Sequence, residues 1–166
     1  MSYSLRPVGR AQREPLERLV RATARFRESE VATALELLDE ALAGDHDYRF
    51  IGAYDDAGLV GYACWGPTPG TVGTHDLYWI VVDPKRQGVG IGGALLRHVE
   101  QLLTADGGRL IVAETSGRAD YALTRGFYEK HGFTRAATIP GYYAPGDDLV
   151  VYTKDLTDGD LARTAS

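Results

Sequence analysis

The feature that most constrains the fold is the stretch from Asp76 to Leu103, in which a buried strand, a glycine-rich loop and a helix follow one another. The β-branched run at residues 80–82 predicts the strand, and Pro84 ends it because proline has no N–H to donate to a sheet. The helix carries apolar residues at the i, i+3, i+4, i+7 spacing of a buried stripe. A glycine-rich loop that leads into a helix N-terminus presents free N–H groups together with the positive end of the helix dipole. Such a loop therefore predicts a phosphate site.

The rest of the chain alternates predicted strands and helices. Strands are predicted at 3–8, 48–54, 59–65, 73–82, 110–115, 133–138 and 149–153, and further helices at 11–25, 30–43 and 121–131. Asp120 is predicted to cap the helix at 121–131, and the segment IPGYYAPGDD (139–148) is predicted to be a loop. The strand–helix–strand order around the glycines predicts a parallel, right-handed crossover, whereas the hairpin before it predicts antiparallel pairing. We therefore expect an α/β fold (α+β by some schemes), with a mixed sheet and helices on both faces.

Length and composition favour a single globular domain over residues 1–156, followed by a short polar tail at 157–166. The formal net charge of −5 comes from interleaved acids and bases without a basic patch, which argues against nucleic acid as a partner. No apolar run is long enough to cross a bilayer, so we expect a cytoplasmic protein without a membrane partner. Cys64 is the only cysteine and the histidines lack ligand spacing, so no metal site is expected.

Two other phosphate-binding motifs compete for the glycine-rich loop. A Walker loop needs lysine and then serine or threonine after its last glycine, but alanine and leucine follow Gly93. The dinucleotide fingerprint G-x-G-x-x-G is matched by Gly88, Gly90 and Gly93, and Glu114 lies at about the distance of its ribose-binding acid. The segment DPKRQ separates the strand from the glycines, however, and the motif lies in mid-chain rather than opening a large doubly wound sheet, which argues against a dinucleotide.

Two separate motifs resemble the GNAT superfamily of acetyl-CoA-dependent N-acetyltransferases. The segment Gln87-Gly88-Val89-Gly90-Ile91-Gly92, after a Val-Asp-Pro strand end, is similar to the family's Q/R-x-x-G-x-G/A signature. The segment Phe127-Tyr128-Glu129-Lys130-His131-Gly132-Phe133 resembles its F/L-Y-x-x-x-G-F block. The predicted order of strands and helices is also the GNAT order. The resemblance thus implies the GNAT fold, in which a mixed, mostly antiparallel central sheet is splayed between two strands.

The resemblance implies that acetyl-CoA is the cosubstrate. In the family, the pantetheine arm lies between the splayed strands and pairs with the strand before the loop. The strand positions implied here are the backbone groups of Ile80, Val81 and Val82. The N–H groups expected to bind the pyrophosphate are those of Gln87, Gly88, Val89, Gly90, Ile91, Gly92 and Gly93.

The resemblance also implies groups that stabilise charge during amide formation. Tyr128 aligns with the tyrosine that meets the coenzyme sulfur and protonates the leaving thiolate. A hydroxyl with a pKa of about 10 is a plausible donor to a thiolate whose acid has a pKa of about 8.5. A backbone N–H of Val81 or Val82 is expected to stabilise the oxyanion.

The general base is open among several residues. An amine with a pKa of about 10.4 must lose a proton before it attacks. Asp76 lies in the register where some GNAT members place a glutamate base, and Glu114 lies on the neighbouring strand. His75 is chemically better tuned, but strand alternation points it to the face opposite Asp76. We rank Asp76 first, then Glu114, then His75.

The acceptor amine is implied to enter opposite the coenzyme, against the first two helices and the loop before the last strand. The expected aromatic contacts are Phe26, Trp79, Tyr142 and Tyr143. Asp147 and Asp148 add negative charge, which suits an ammonium group. The acceptor is expected to be a small-molecule amine or an amine of a protein or peptide, and the enzyme a monomer or a homodimer. A non-catalytic acyl-CoA-binding sensor is the alternative function.

Overall fold

The computed structural model describes residues 2–157, which contain one seven-stranded sheet and four α-helices. The strands are β1 (Ser4–Arg6), β2 (Arg49–Asp55), β3 (Gly58–Pro67), β4 (Thr74–Val82), β5 (Leu110–Ser116), β6 (Thr134–Ala144) and β7 (Asp147–Asp155). The helices are α1 (Arg13–Ala22), α2 (Glu28–Leu42), α3 (Ile91–Ala105) and α4 (Ala122–Lys130). Apart from Thr157, the tail predicted at 157–166 lies outside the described residues. No helix within residues 2–157 is long and apolar enough to cross a membrane.

The sheet is mixed and mostly antiparallel, as predicted. Its strand order is β1-β2-β3-β4-β5-β7-β6. The pairs β1–β2, β2–β3, β5–β7 and β6–β7 are antiparallel, whereas β4 and β5, joined by α3, are parallel. The parallel register joins Thr74–Leu77 to Leu110–Ala113 and ends there, although both strands continue. This open, mostly antiparallel sheet differs from the doubly wound parallel sheet that a dinucleotide fingerprint requires.

The described residues form two compact units. The first contains the chain up to Pro67 together with Tyr78–Leu102. Its core joins the apolar faces of α1 and α2 to the sheet, because Leu16, Leu38 and Tyr62 belong to one buried cluster. The i, i+3, i+4 spacing of buried positions on α1 gives the stripe that packs there.

The second unit contains Thr68–Leu77 and the described residues from Leu103 onward. Its core is built from β5 and β7, where Ile111, Ala113 and Tyr152 are fully buried, and from Tyr128 of α4. The expectation of a single domain over residues 1–156 stays a prediction.

Two local predictions are wrong. Residues 139–148 are not a loop but the end of a hairpin, in which β6 continues to Ala144 and β7 begins at Asp147. Proline and glycine are tolerated because β6 is an edge strand and its register shifts between Ile139 and Ala144. Asp120 does not cap α4, whose N-cap is Tyr121; the Asp120 carboxylate instead accepts a hydrogen bond from Arg118 at 3.0 Å.

Candidate active site

The turn after β4 is fixed by short hydrogen bonds within the first unit. The Asp83 N–H donates to the carbonyl of Val60 on β3 at 2.8 Å, and the Asp83 carboxylate accepts from the Lys85 N–H at 2.9 Å. The second bond starts a single 3₁₀ turn at Pro84–Arg86. Because backbone groups of alternate strand residues point to opposite edges, Val81 faces β3 like Asp83, while the backbone groups of Val82 face the other edge of β4.

The glycine loop, residues 87–93, follows this turn; its residues 87–90 are exposed to solvent, and residues 91–93 form the first turn of α3. Gly88 and Gly90 have φ angles of +85° and +88°, which side chains rarely tolerate. A β-carbon at either position would meet nothing within 4 Å, so conformation and not space requires glycine.

The N-terminus of α3 has N–H groups without helical partners. The first helical bond runs from the Ala94 N–H to the Gly90 carbonyl at 3.0 Å, which leaves the N–H groups of residues 91–93 outside the helix ladder. No acidic residue lies in the first turn. The exposed loop and this uncompensated positive end therefore fit the pyrophosphate of coenzyme A.

Arg86 ties the turn to the hairpin between β2 and β3. Its Nε donates to Asp55 Oδ2 at 2.8 Å, and its Nη1 donates to Asp83 Oδ2 at 3.2 Å. Asp55 also accepts the Ala57 N–H at 2.8 Å, and its side chain is only 8% exposed. Burial acts to raise the pKa of Asp55, but the hydrogen bonds from Arg86 and Ala57 outweigh it and lower that pKa. This cluster was not predicted from the sequence.

Aromatic rings line the same unit near α2 and β4. Phe26 and Trp79, both predicted to contact the acceptor, meet edge to face with their centroids 4.9 Å apart. A second pair, Tyr48 and Tyr78, lies at 5.6 Å and was not predicted. The pKa of Tyr48 is raised, first by burial and then by the negative charges of nearby acids at positions 40, 45 and 47.

Tyr128 is held inside an aromatic cluster of the second unit. Its ring centroid lies 5.2 Å from that of Phe133, 5.6 Å from Tyr152 and 5.7 Å from Phe127. The Tyr152 hydroxyl donates to Glu129 Oε1 at 2.8 Å, which fixes the neighbouring ring. Burial raises the pKa of Tyr128 above its ordinary value, so its hydroxyl keeps its proton at neutral pH.

The structure brings two of the three base candidates onto one face of the second unit. Asp76 pairs with Val112 on β5, so Glu114, two residues further on, lies on the same face. Asp76 accepts a hydrogen bond from Thr68 Oγ1 at 2.8 Å, while Glu114 is exposed. His75 lies on the opposite face, and its Nδ1 is buried without a hydrogen-bond partner among residues 2–157.

Tyr128 lies on the face opposite the two carboxylates. Its ring packs against Tyr152, and Tyr152 pairs with Ala113 on β5. Because Ala113 and Glu114 are consecutive strand residues, their side chains point to opposite faces. The acid and base candidates are therefore separated by the sheet.

The hairpin formed by β6 and β7 presents the other predicted acceptor contacts. Tyr142 and Tyr143 meet edge to face at 5.1 Å and are exposed. The expectation that Asp147 offers free negative charge is wrong, because it is 6% exposed and accepts a hydrogen bond from Ser116 Oγ. Asp148 accepts the Gly141 N–H at 2.9 Å.

A polar cluster around the buried Ser116 and Asp147, near the turn of this hairpin, was not predicted either. The Arg118 N–H donates to Ser116 Oγ at 3.1 Å, and the Arg118 Nη1 lies 3.8 Å from Asp147 Oδ2. Arg125 donates to the carbonyls of Ser116 and Arg118 at 2.8 and 2.7 Å. The end of β5, the start of α4 and the start of β7 are thus joined. Within residues 2–157, no group of three or more histidine, cysteine or acidic side chains could hold a metal ion.

Comparison with known proteins identifies relatives of the whole chain. A sequence model of the acetyltransferase (GNAT) domain matches residues 46–135. A solved structure from Desulfovibrio desulfuricans, assigned to the GNAT acetyltransferases, is 42% identical with a TM-score of 0.88, and the match covers 93% of this chain and 99% of that one. No curated protein sequence matches the chain.

Two further solved structures, both under 25% identical, share the fold. PaiA N-acetyltransferase from Thermoplasma acidophilum, in complex with coenzyme A, is 18% identical with a TM-score of 0.73 and covers 93% of this chain and 99% of its own. The aminoglycoside 6'-N-acetyltransferase from Enterococcus faecium is 20% identical with a TM-score of 0.73 and covers 94% and 97%. The family match spans more than half of the sequence and the 42% identical relative nearly all of it, so this chain belongs to the GNAT acetyltransferases, whose cosubstrate is acetyl-CoA.

Proposed function

We propose that the protein transfers the acetyl group of acetyl-CoA to a primary amine by direct attack. The observation that carries this proposal is the glycine loop, which combines exposure, left-handed glycines and a helix N-terminus without an acid. The N–H groups of Gln87–Gly93 would hold the pyrophosphate. When bound, the coenzyme supplies an acetyl group activated as a thioester.

The free edge of β4 is suited to the pantetheine arm and the developing oxyanion. We assign the arm to the backbone of Ile80–Val82, in the manner of an added strand. Because Val81 faces β3, the N–H of Val82 is the better donor to the oxygen that gains negative charge. Of the two N–H groups expected to stabilise the oxyanion, those of Val81 and Val82, we therefore propose that of Val82.

Tyr128 is assigned as the proton donor to the departing sulfur. Its raised pKa keeps the hydroxyl protonated, and the packed rings of Phe133 and Tyr152 restrict its rotamers. A donor of this kind contributes about 10²–10⁴-fold to the rate. The packed aromatic rings around Tyr128 support its assignment as a proton donor held in a fixed position.

Asp76 is assigned as the general base, with Glu114 as the second candidate. Asp76 is half-buried and oriented by the Thr68 hydroxyl, whereas Glu114 is exposed. Both lie on the face opposite Tyr128, so the amine would lose its proton on one side of the sheet while the sulfur gains one on the other.

Two aromatic pairs are assigned as candidate acceptor contacts, each within its own unit. These pairs are Phe26 with Trp79 and Tyr142 with Tyr143. Faces of aromatic rings favour a cation, and the negative net charge of the protein favours its approach. We therefore propose a small-molecule or peptide primary amine.

Release of free thiol from acetyl-CoA with a panel of primary amines tests the proposal. We expect turnover by the wild type, a loss of about 10²-fold in kcat for Tyr128→Phe and a similar loss for Asp76→Asn. Tyr3→Phe, which changes a tyrosine outside the assigned site, serves as the control and should keep kcat. Coenzyme A binding without turnover on any amine would contradict the enzymatic proposal, and unchanged rates in both variants would contradict the assigned roles.

A further inference from the structure

We propose that Asp55, Arg86 and Asp83, here called the loop clamp, position the glycine loop and thereby set the affinity for acetyl-CoA. The inference rests on the proposed function, in which this loop binds the pyrophosphate. All three residues belong to the first unit, and Asp55 lies outside both sequence motifs. They are positioning residues, since they would act through the backbone of the loop.

The clamp joins two chain segments, the β2–β3 hairpin and the turn after β4, through one planar guanidinium. Asp55 ends β2 and is itself held by the Ala57 N–H. Asp83 directly follows β4 and is held by the Lys85 N–H and by β3. Arg86 donates to both carboxylates, so the residue immediately before Gln87 cannot rotate without breaking two charge-assisted hydrogen bonds.

The clamp fixes the direction in which the loop leaves the turn. Gln87 directly follows Arg86 and is extended, with φ −67° and ψ 149°, and Gly88 then turns into the left-handed region. A loop that already has this shape need not be ordered when the coenzyme binds. Loss of the clamp would add that ordering cost to binding.

The same geometry argues that Arg86 is not a phosphate ligand. The Arg86 side chain is 20% exposed, and its guanidinium lies between two carboxylates, which raise its pKa, chiefly through the Asp55 hydrogen bond. Its charge is compensated within the protein. Removal of Asp55 should therefore weaken coenzyme binding, whereas a phosphate ligand released from Asp55 would strengthen it.

The test compares acetyl-CoA with S-acetylpantetheine, a thioester that has no pyrophosphate. For Asp55→Asn we expect the KM for acetyl-CoA and the Kd for coenzyme A to rise about five- to tenfold, with kcat within about twofold. The KM for S-acetylpantetheine should stay unchanged, because its binding does not use the loop. Arg86→Lys should behave like Asp55→Asn, since an ammonium cannot bridge two carboxylates with a planar fork.

Asp39→Asn is the matched control, because it breaks the two-bond ion pair between Arg13 and Asp39 in the same unit. It should leave both KM values unchanged. The double variant Asp55→Asn/Arg86→Lys should be no worse than the worse single change, since both changes remove the same interaction. If Asp55→Asn does not fold, Arg86→Lys carries the same comparison.

Several outcomes would overturn the clamp. These are an unchanged or lowered KM for acetyl-CoA in Asp55→Asn and Arg86→Lys, or an equal rise for both thioesters. Gly90→Val separates this failure from failure of the proposed function. If Gly90→Val abolishes coenzyme A binding while the clamp variants bind normally, the loop assignment stands and the clamp is wrong. If the wild type does not bind coenzyme A, the proposed function itself is wrong.

Discussion

Replacing Ser116 by alanine removes a hydroxyl that serves two partners near the turn of the β6–β7 hairpin. The hydroxyl donates to the buried Asp147 carboxylate and accepts the Arg118 N–H. A hydrogen bond to a charged group is worth about 1.5–3 kcal/mol, whereas the N–H of the exposed Arg118 can bond to water in the variant. We therefore expect Ser116→Ala to lower the free energy of unfolding by about 2 kcal/mol.

Urea unfolding followed by circular dichroism measures that change. Thr33→Ala is the matched control, because its hydroxyl donates to the Ser29 carbonyl on the exposed side of α2, and its effect should stay within about 0.5 kcal/mol. Ser116→Thr keeps a hydroxyl and should recover part of the loss. A decrease below about 1 kcal/mol for Ser116→Ala would refute the reasoning, since the buried carboxylate would then not depend on this donor.

Three further predictions concern the loop and the titrating groups. Gly88→Ala places a side chain at φ +85°, which costs about 1–2 kcal/mol of backbone strain. Thermal melting with coenzyme A should therefore report a Kd for coenzyme A that is raised about tenfold. An unchanged Kd would contradict the need for this loop shape. Because burial raises the pKa of Tyr128, kcat should not fall with rising pH through ionisation of this residue below about pH 10. A fall of kcat below that pH that disappears in Tyr128→Phe would contradict the assignment. Folding lowers the pKa of Asp55, so its contribution to stability is present above its ordinary pKa of 3.8 and is lost as the pH falls through the lowered pKa. The free energies of urea unfolding of the wild type and of Asp55→Asn should therefore converge at that low pH. A difference that stays constant with pH would contradict the ion pair.

Local patterns were sufficient to predict most of the sheet and the glycine loop. The β-branched strand, the glycines and the apolar helix stripe lie within the single stretch from Asp76 to Leu103, where periodicity and turn chemistry agree. The hairpin at residues 139–148 was missed because its proline, glycines and tyrosines resemble a loop. An edge strand tolerates those residues, since its outer N–H groups need no partner within the sheet.

The polar clusters that fix the site could not be predicted from spacing. Arg86 and Asp55 are 31 residues apart in sequence, and so are Ser116 and Asp147. No helical or strand period reaches that far. Each of these residues, viewed alone, is of a polar type that is common in solvent-exposed turns. Only the β2–β3 hairpin, held beside the end of β4 by the bond from the Asp83 N–H to the Val60 carbonyl, and the pairing of β5 with β7 bring the partners together.

The turn end of the β6–β7 hairpin combines one buried carboxylate with exposed aromatic rings. Asp147, which pairs with Ala144 next to the turn, is held by Ser116, while Tyr142 and Tyr143 on β6 are exposed. Gly141 and Gly146 have positive φ angles, so random libraries that keep both glycines and vary residues 142–145 should tolerate many side chains while the fold persists. Under the proposed assignment of Tyr142 and Tyr143 to the acceptor, exchange of this short segment would change acceptor preference and leave the glycine loop as it is.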